Sequence, residues 1–204
     1  SVQASLLGLL ALIIGFTFAV ALQHYDARSA AVVTEANALG TTWLRTSLLA
    51  EPERGELRML LRRYVDMRVG EGHEALSESA QRSAALAAAN QLHAALWQAV
   101  TRLVSKDNNP VTSGLFVAAL NDSIDAFGAR NAHLSRHVPE VVLWILFATF
   151  GVTAGVLGYS AGIARHRPPL ASMLLVALIV LVTYLIIDLD RPRRGLIQIS
   201  QTPM

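Results

Sequence analysis

Two histidines, His133 and His137, stand four residues apart, a spacing that sets two imidazoles on one helix face where a zinc ion could bridge them. No Glu lies between them to supply the base of a metalloprotease motif, and both precede an apolar run. Interfacial histidines without a metal are therefore expected. Asp122 and Asp125 flank the apolar seam of a predicted helix, with Arg130 following. They are candidate cation ligands, set against the plainer reading of a solvated helix face. Glu35 and Asn37 interrupt an apolar stretch, and Thr41 and Thr42 follow about a turn later. Thr17 sits between Phe16 and Phe18 in a segment without charge. A hydroxyl beside apolar rings can line a channel next to a hydrophobic constriction, or it can simply pack helices. The candidate ion pathway is thus Phe16, Thr17, Phe18, Glu35 and Asn37. No Gly-rich phosphate loop is present, and no Ser–His–Asp set can be argued from spacing. No catalytic residue, metal or cofactor is expected, and no enzyme.

The elements that would position these residues are helical and largely apolar. Apolar residues make up 53% of the 204 and charged residues 16%, against about 45–50% and about 25% in ordinary soluble domains. Three apolar blocks account for the shift: residues 4–22, 139–163 and 169–187. About 20 residues of α-helix cross a roughly 30 Å hydrocarbon core, so each block is long enough. The first is too long for the apolar core of a signal peptide, lacks a basic start, and runs on into helical sequence. The absence of Cys excludes disulfides, thiolate chemistry and Cys-based metal sites. The net charge of +2 is too small to point to nucleic acid. The chain opens on Ser1, and a further upstream segment, a fourth span included, is expected in the full-length protein.

Residues 23–137 contain few Pro or Gly and read as four helices. Val32, Val33, Ala36, Leu39, Trp43, Leu44 and Leu48 recur at three- and four-residue steps, and nothing before Val32 would stop a helix. The first span therefore continues into this segment, to about Leu49. Glu51-Pro52 ends it. Leu57, Leu60, Leu61, Tyr64 and Val65 mark one face of a second helix, which the Gly70-Glu71-Gly72 stretch is expected to break. Leu92, Leu96, Ala99 and Leu103 mark a third, closed by the Asp107-Asn108-Asn109-Pro110 turn. Val117, Leu120, Ile124, Phe127, Asn131 and Leu134 form the seam of the fourth. The expected fold class is all-α: an integral membrane protein with three transmembrane helices, an inserted four-helix soluble domain and a short tail over 188–204.

Three spans put the inserted domain and the tail on the same side. Arg28, Arg130, Arg136, Arg191, Arg193 and Arg194 lie near span ends there, against Arg165 and Arg167 opposite. The positive-inside rule then favours a cytoplasmic domain. The spans are nearly free of the intramembrane charges that mark proton relays, which argues against a proton-coupled pump. Gly151 with Gly155, and Gly158 with Gly162, are small residues four apart in the second span; Gly15 lies in the first. Such residues let backbones approach closely in lipid, either between subunits, along a pore, or within one chain.

Several segments resemble, together and in order, a bacterial membrane family known as the bestrophin-like domain. They are Gly15-Phe16-Thr17-Phe18, the run from Glu35 to Arg45, Leu60-Leu61-Arg62-Arg63-Tyr64-Val65-Asp66, and Leu120-Asn121-Asp122-Ser123-Ile124-Asp125. The last and most specific is Asp188-Leu189-Asp190-Arg191-Pro192-Arg193-Arg194-Gly195-Leu196-Ile197. The resemblance implies kinship to bestrophins, which are oligomeric ion channels. No acidic calcium-clasp cluster or neck motif matches, so it names no pore residue. Conduction by a homo-oligomer in the bacterial inner membrane is the leading expectation, with the lipid bilayer and inorganic ions as partners. The alternative is a non-conducting sensory or interaction protein acting through a partner, which the short tail after the third span counts against.

Overall fold

In the computed structural model, residues 2–73, 79–163 and 170–190 are described. The element order is α1 (Val2–Arg45), a 3-10 turn (Thr46–Leu48), α2 (Glu53–His73), α3 (Ser79–Lys106), α4 (Ser113–Ser135), α5 (Glu140–Ile163) and α6 (Leu170–Asp190). No strand occurs among the described residues. The absence of Pro from residues 2–45 lets α1 run unbroken, and the α-helix gives way at Arg45, slightly before the expected Leu49. Gly70-Glu71-Gly72 does not break α2, which continues to His73. Glycine in a helix costs about 1 kcal/mol relative to Ala but removes no hydrogen bond, so it weakens a helix without ending it.

The described chain forms two compact units. One holds the residues up to Asp26 and those from Arg136 onward; the other is Ala27–Ser135. Three helices are long and apolar enough to cross a membrane: α1, α5 and α6. In the first unit, Ala21, Val138, Ile186 and Leu189 form a small core, packed by Ile14, Phe18, Val142 and Val182. Most of the apolar surface of these helices is uncovered within the chain; in α5 only Leu146 and Thr153 are buried.

The Ala27–Ser135 unit is a bundle of the end of α1 with α2, α3 and α4. Its core joins Leu49, Leu57, Leu61, Leu96, Leu103, Phe116 and Leu120, and continues through Leu39, Tyr64, Ala89, Leu92 and Phe127. The α3 face is as its periodicity predicts. The buried side of α1 is not. Ala31, Val32, Glu35, Leu39, Thr42, Thr46 and Leu49 are buried, whereas Val33, Leu44 and Leu48 are 44%, 71% and 45% exposed. Polar side chains occupy the seam, so a reading by apolar residues alone rotates it. The α4 face turns in the same way: Phe116, Ala119, Leu120, Ser123, Phe127 and Arg130 are buried.

The α3–α4 connection is the predicted turn, held by its own side chains. Asp107 Oδ1 accepts from Asn109 N at 3.2 Å, Asn109 Oδ1 from Val111 N at 2.8 Å, and Asp107 Oδ2 from the Thr112 hydroxyl at 2.8 Å.

Candidate functional site

The seam positions of three helices meet at a carboxylate. On α1, Glu35 falls between Val32 and Leu39 on the buried face. On α2, Arg68 follows Leu57, Leu61 and Tyr64 at four- and three-residue steps. On α4, Arg130 follows Ser123 and Phe127 in the same way. Helical periodicity therefore carries all three charges inward. Glu35 is fully buried, and the Arg68 and Arg130 side chains are only 6% and 5% exposed.

Each oxygen of Glu35 takes two donors. Oε1 accepts from the Tyr64 hydroxyl at 3.1 Å and from Arg68 Nε at 2.9 Å. Oε2 accepts from Arg68 Nη2 at 3.1 Å and from Arg130 Nη1 at 2.6 Å. Arg68 thus grips the carboxylate with two parallel bonds, the fork geometry that is both strong and directional. An aromatic wall closes the centre. The Arg68 guanidinium lies 4.9 Å from the Phe127 ring centroid, and the His93 ring lies 4.9 Å from both Tyr64 and Phe127.

The electrostatics follow from these neighbours. Burial pushes the Glu35 carboxyl up, but the hydrogen bonds and charges of Arg68 and Arg130 outweigh it and hold the group below its ordinary range. Burial, and then the Glu35 charge, raise the Tyr64 phenol, so it remains a donor. Burial lowers His93; the Glu35 charge opposes this and the Arg68 charge adds to it. Glu35 is consequently an ionised carboxylate with its lone pairs taken. It is no general base, and within the chain it presents no surface to an ion path. What the arrangement does is tie α1, α2 and α4 at one level.

A second polar contact lies further along α1. The Thr42 hydroxyl is within 2.8 Å of Ala119 O and 2.7 Å of Ser123 Oγ, both on α4, and 2.9 Å from Ala38 O of its own helix.

The remaining predicted positions are dispersed. Asn37 is exposed while Glu35 is buried, because two residues along a helix turn the side chain by about 200°. Phe16 is 63% exposed, Thr17 is fully buried, and Phe18 packs in the core of the first unit. The Thr17 hydroxyl donates to Ile13 O at 2.7 Å. Thr149, Thr153 and Thr183 likewise donate to the carbonyl four residues back. These hydroxyls are satisfied by their own helices.

Asp122 and Asp125 are both exposed, and among the described residues no group of three or more His, Asp or Glu side chains could hold a metal ion. His133 and His137 do not share a helix face, because α4 ends at Ser135 ahead of Pro139. His137 instead pairs its Nδ1 with Asp190 O at 3.1 Å, and Asp190 Oδ1 accepts from Val138 N at 2.8 Å. Asp188 and Asp190 are thus buried in the last turn of α6, past the expected end of that helix at residue 187. Arg191, Arg193 and Arg194 lie outside the described residues. At Gly15, Gly151, Gly155, Gly158 and Gly162, an added Cβ would meet nothing within 4 Å. Packing within the described chain does not require these glycines.

Residues 3–204 match the family described as Bestrophin-like domain. The chain belongs to the bestrophin-like family. No curated protein and no solved structure matches it. Family and apolar helices together make this bestrophin-like chain a membrane protein.

The partners of Glu35 were the part that sequence reasoning missed. Arg68 and Arg130 each occupy the next heptad-like position of a face already marked by apolar residues. That register was the available signal.

Proposed function

We propose that this bestrophin-like chain is one subunit of a homo-oligomeric, ion-conducting protein of the bacterial inner membrane. α1, α5 and α6 cross the bilayer, and the Ala27–Ser135 bundle lies on the cytoplasmic side. The observation that carries the reading is the uncovered glycine face of α5, in a family whose name ties it to channels. Gly151, Gly155, Gly158 and Gly162 are all exposed within the chain. In lipid, where apolar area alone does not drive helices together, small residues favour close approach of another helix. A second copy of this chain is the natural source. Phe16 and Asn37 are the pathway candidates exposed within the chain, and of the two Phe16 lies in a span.

The test is reconstitution of the purified oligomer into planar bilayers. Discrete conductance steps are expected. Silent bilayers from protein of verified oligomeric state refute the proposal.

One observation favours a second reading, a non-conducting protein acting through a partner. The hydroxyls of Thr17, Thr149, Thr153 and Thr183 are bonded to their own helices, which leaves little polar lining in the spans. Under that reading, mild-detergent pull-downs from native membranes recover a second protein in fixed ratio. Recovery of the homo-oligomer alone counts against it.

A further inference from the structure

The Ala27–Ser135 unit carries a groove that neither the Glu35 centre nor conduction uses. Two cavities, of about 500 and about 360 Å³, share Trp43, Arg62 and Asp66 in their walls. The groove exists because α2 has two sides of different chemistry. Leu57, Leu61 and Tyr64 face the core; Arg58 and Arg62 fall beside them, over the α1 residue Trp43, and Arg63 lines the same cavity.

The arginines are arranged rather than merely present. The Arg58 and Arg62 guanidinium carbons lie 5.3 and 5.8 Å from the Trp43 ring centroid. Arg58 is also fixed by the Thr46 and Ser47 hydroxyls, at 2.8 and 3.3 Å. Three surface cations of the bundle have an acid: Arg54 meets Glu51, Arg102 meets Glu56, and Lys106 meets Glu53. Among the described residues Arg62 and Arg63 form no such pair. Glu51, just before α2, is occupied by Arg54 Nε at 2.7 Å and Gly55 N at 3.0 Å. Asp66 is the single carboxylate in the cavity walls, against three guanidiniums, which leaves a net charge of +2.

A flat guanidinium backed by an aromatic ring presents its fork outward, and that fork matches phosphate oxygens two at a time. Apolar Met59 and Val65 supply a wall for carbon, and Asp66 supplies an acceptor for a hydroxyl. We propose that this groove binds a hydroxyl-bearing phosphate ester, with Arg62 and Arg63 on the phosphate. A free polyol phosphate and a phosphatidylglycerol headgroup share that chemistry.

The test uses the full chain in an uncharged detergent. Trp97 and Trp144 are 42% and 72% exposed, so Trp97→Phe and Trp144→Phe leave Trp43 as the only indole of the three. Its fluorescence is titrated with glycerol 3-phosphate, with short-chain phosphatidylglycerol, and with potassium chloride at matched ionic strength. A saturable change with glycerol 3-phosphate, whether or not phosphatidylglycerol also gives one, assigns a site open to free ligand, and a change with phosphatidylglycerol alone assigns the lipid headgroup. In either case Arg62→Gln with Arg63→Gln weakens binding by at least about tenfold, close to 1.4 kcal/mol, while circular dichroism and thermal unfolding stay unchanged. The proposal is overturned by no saturable response to either phosphate, by chloride reproducing the response, or by undiminished affinity in the double variant. None of these outcomes depends on whether the protein conducts ions.

Discussion

Glu35→Gln is the substitution that most directly tests the buried centre. In the parent, two guanidiniums flank one carboxylate. At roughly 4 Å between charge centres and an effective dielectric of about 20, each pair attracts by about 4 kcal/mol. Burying the three ions costs several kcal/mol each, so the intact set comes close to cancelling. Glu35→Gln removes both attractions and leaves Arg68 and Arg130 buried with like charge. Breaking a buried pair by removing one partner typically costs about 3–5 kcal/mol, and Gln keeps one acceptor, so about 3 kcal/mol is expected. That is a large part of the roughly 5–15 kcal/mol that holds a domain together. The counter-variant is Glu35→Leu with Arg68→Met and Arg130→Met. It removes every buried charge of the centre but leaves the buried Tyr64 hydroxyl without its acceptor, so a loss of about 1–2 kcal/mol, smaller than that of Glu35→Gln, is expected.

The assay is denaturant unfolding in mild detergent, with hydrogen exchange read at the amides of α2 and α4. About 3 kcal/mol corresponds to roughly a hundredfold faster exchange where opening involves the centre. Acid supplies an independent check. The Glu35 carboxyl is held below its ordinary value in the fold. Its stabilisation is therefore complete above about pH 4.3, the unfolded value, and is lost as pH falls through the lowered folded one. Glu35→Gln should lose the Glu35 share of that slope, leaving the shallower dependence of Glu51 and Glu53. A loss under about 1 kcal/mol for Glu35→Gln, or a triple variant weaker than the single one, refutes the reasoning.

Three further outcomes follow from other contacts. His93 is lowered by burial, with Arg68 adding to the effect; the unfolded chain takes up a proton near pH 6.5 before the folded one does. Stability should thus fall as pH drops below about 6.5, and unfolding midpoints of His93→Phe should lose that slope. Thr42→Val strips the hydroxyl that bridges Ala119 O and Ser123 Oγ, and should lower stability by about 1–2 kcal/mol; an unfolding midpoint equal to the parent's would rule the bridge out as a stabiliser. Gly155→Leu adds bulk where nothing lies within 4 Å in the chain. It should leave monomer stability within about 0.5 kcal/mol while light scattering shows a smaller oligomer; an unchanged oligomer removes the glycine face from the proposed interface.

The helices were legible in the sequence because few residues contradict them. Long Pro-free runs, the Asp107–Pro110 turn and the uncharged spans each point one way. The α3 face was readable because its buried positions are all Ala, Val or Leu. The faces of α1 and α4 were misjudged for one reason: their seams contain Glu35, Thr42, Thr46, Ser123 and Arg130. Counting apolar residues shifts such a seam toward the nearest Val or Leu, here Val33, Leu44 and Leu48. Buried polar groups are readable only as a set, since each is tolerable inside only with its partners. Glu35 alone looks like a solvent or pathway residue. Glu35 placed against an Arg on each of two other buried faces looks like a core. The α4 terminus was misjudged on a smaller point. The spacing of His133 and His137 presumes a helix that Pro139 does not allow to continue.

If an apolar replacement of the centre costs only the Tyr64 hydrogen bond, stability is not what the charges provide. The alternative is register. The apolar members of the α1, α2 and α4 seams recur at three- and four-residue steps, so sliding one helix by a turn, about 5.4 Å, brings apolar positions back into facing rows. The same slide would leave Glu35 without its forks and two guanidiniums buried and unpaired, a penalty on the scale of several kcal/mol. The centre therefore selects one alignment from several that packing alone would accept. The absence of Cys from the chain makes this measurable. Thr42 and Ser123 face each other at 2.7 Å between hydroxyl oxygens, so Thr42→Cys with Ser123→Cys should cross-link under mild oxidation. Thr42→Cys with Phe127→Cys, one turn away on α4, should not. In the Glu35→Leu, Arg68→Met, Arg130→Met background the second pair should begin to cross-link as well. Equal discrimination in both backgrounds would return the centre to a purely energetic role.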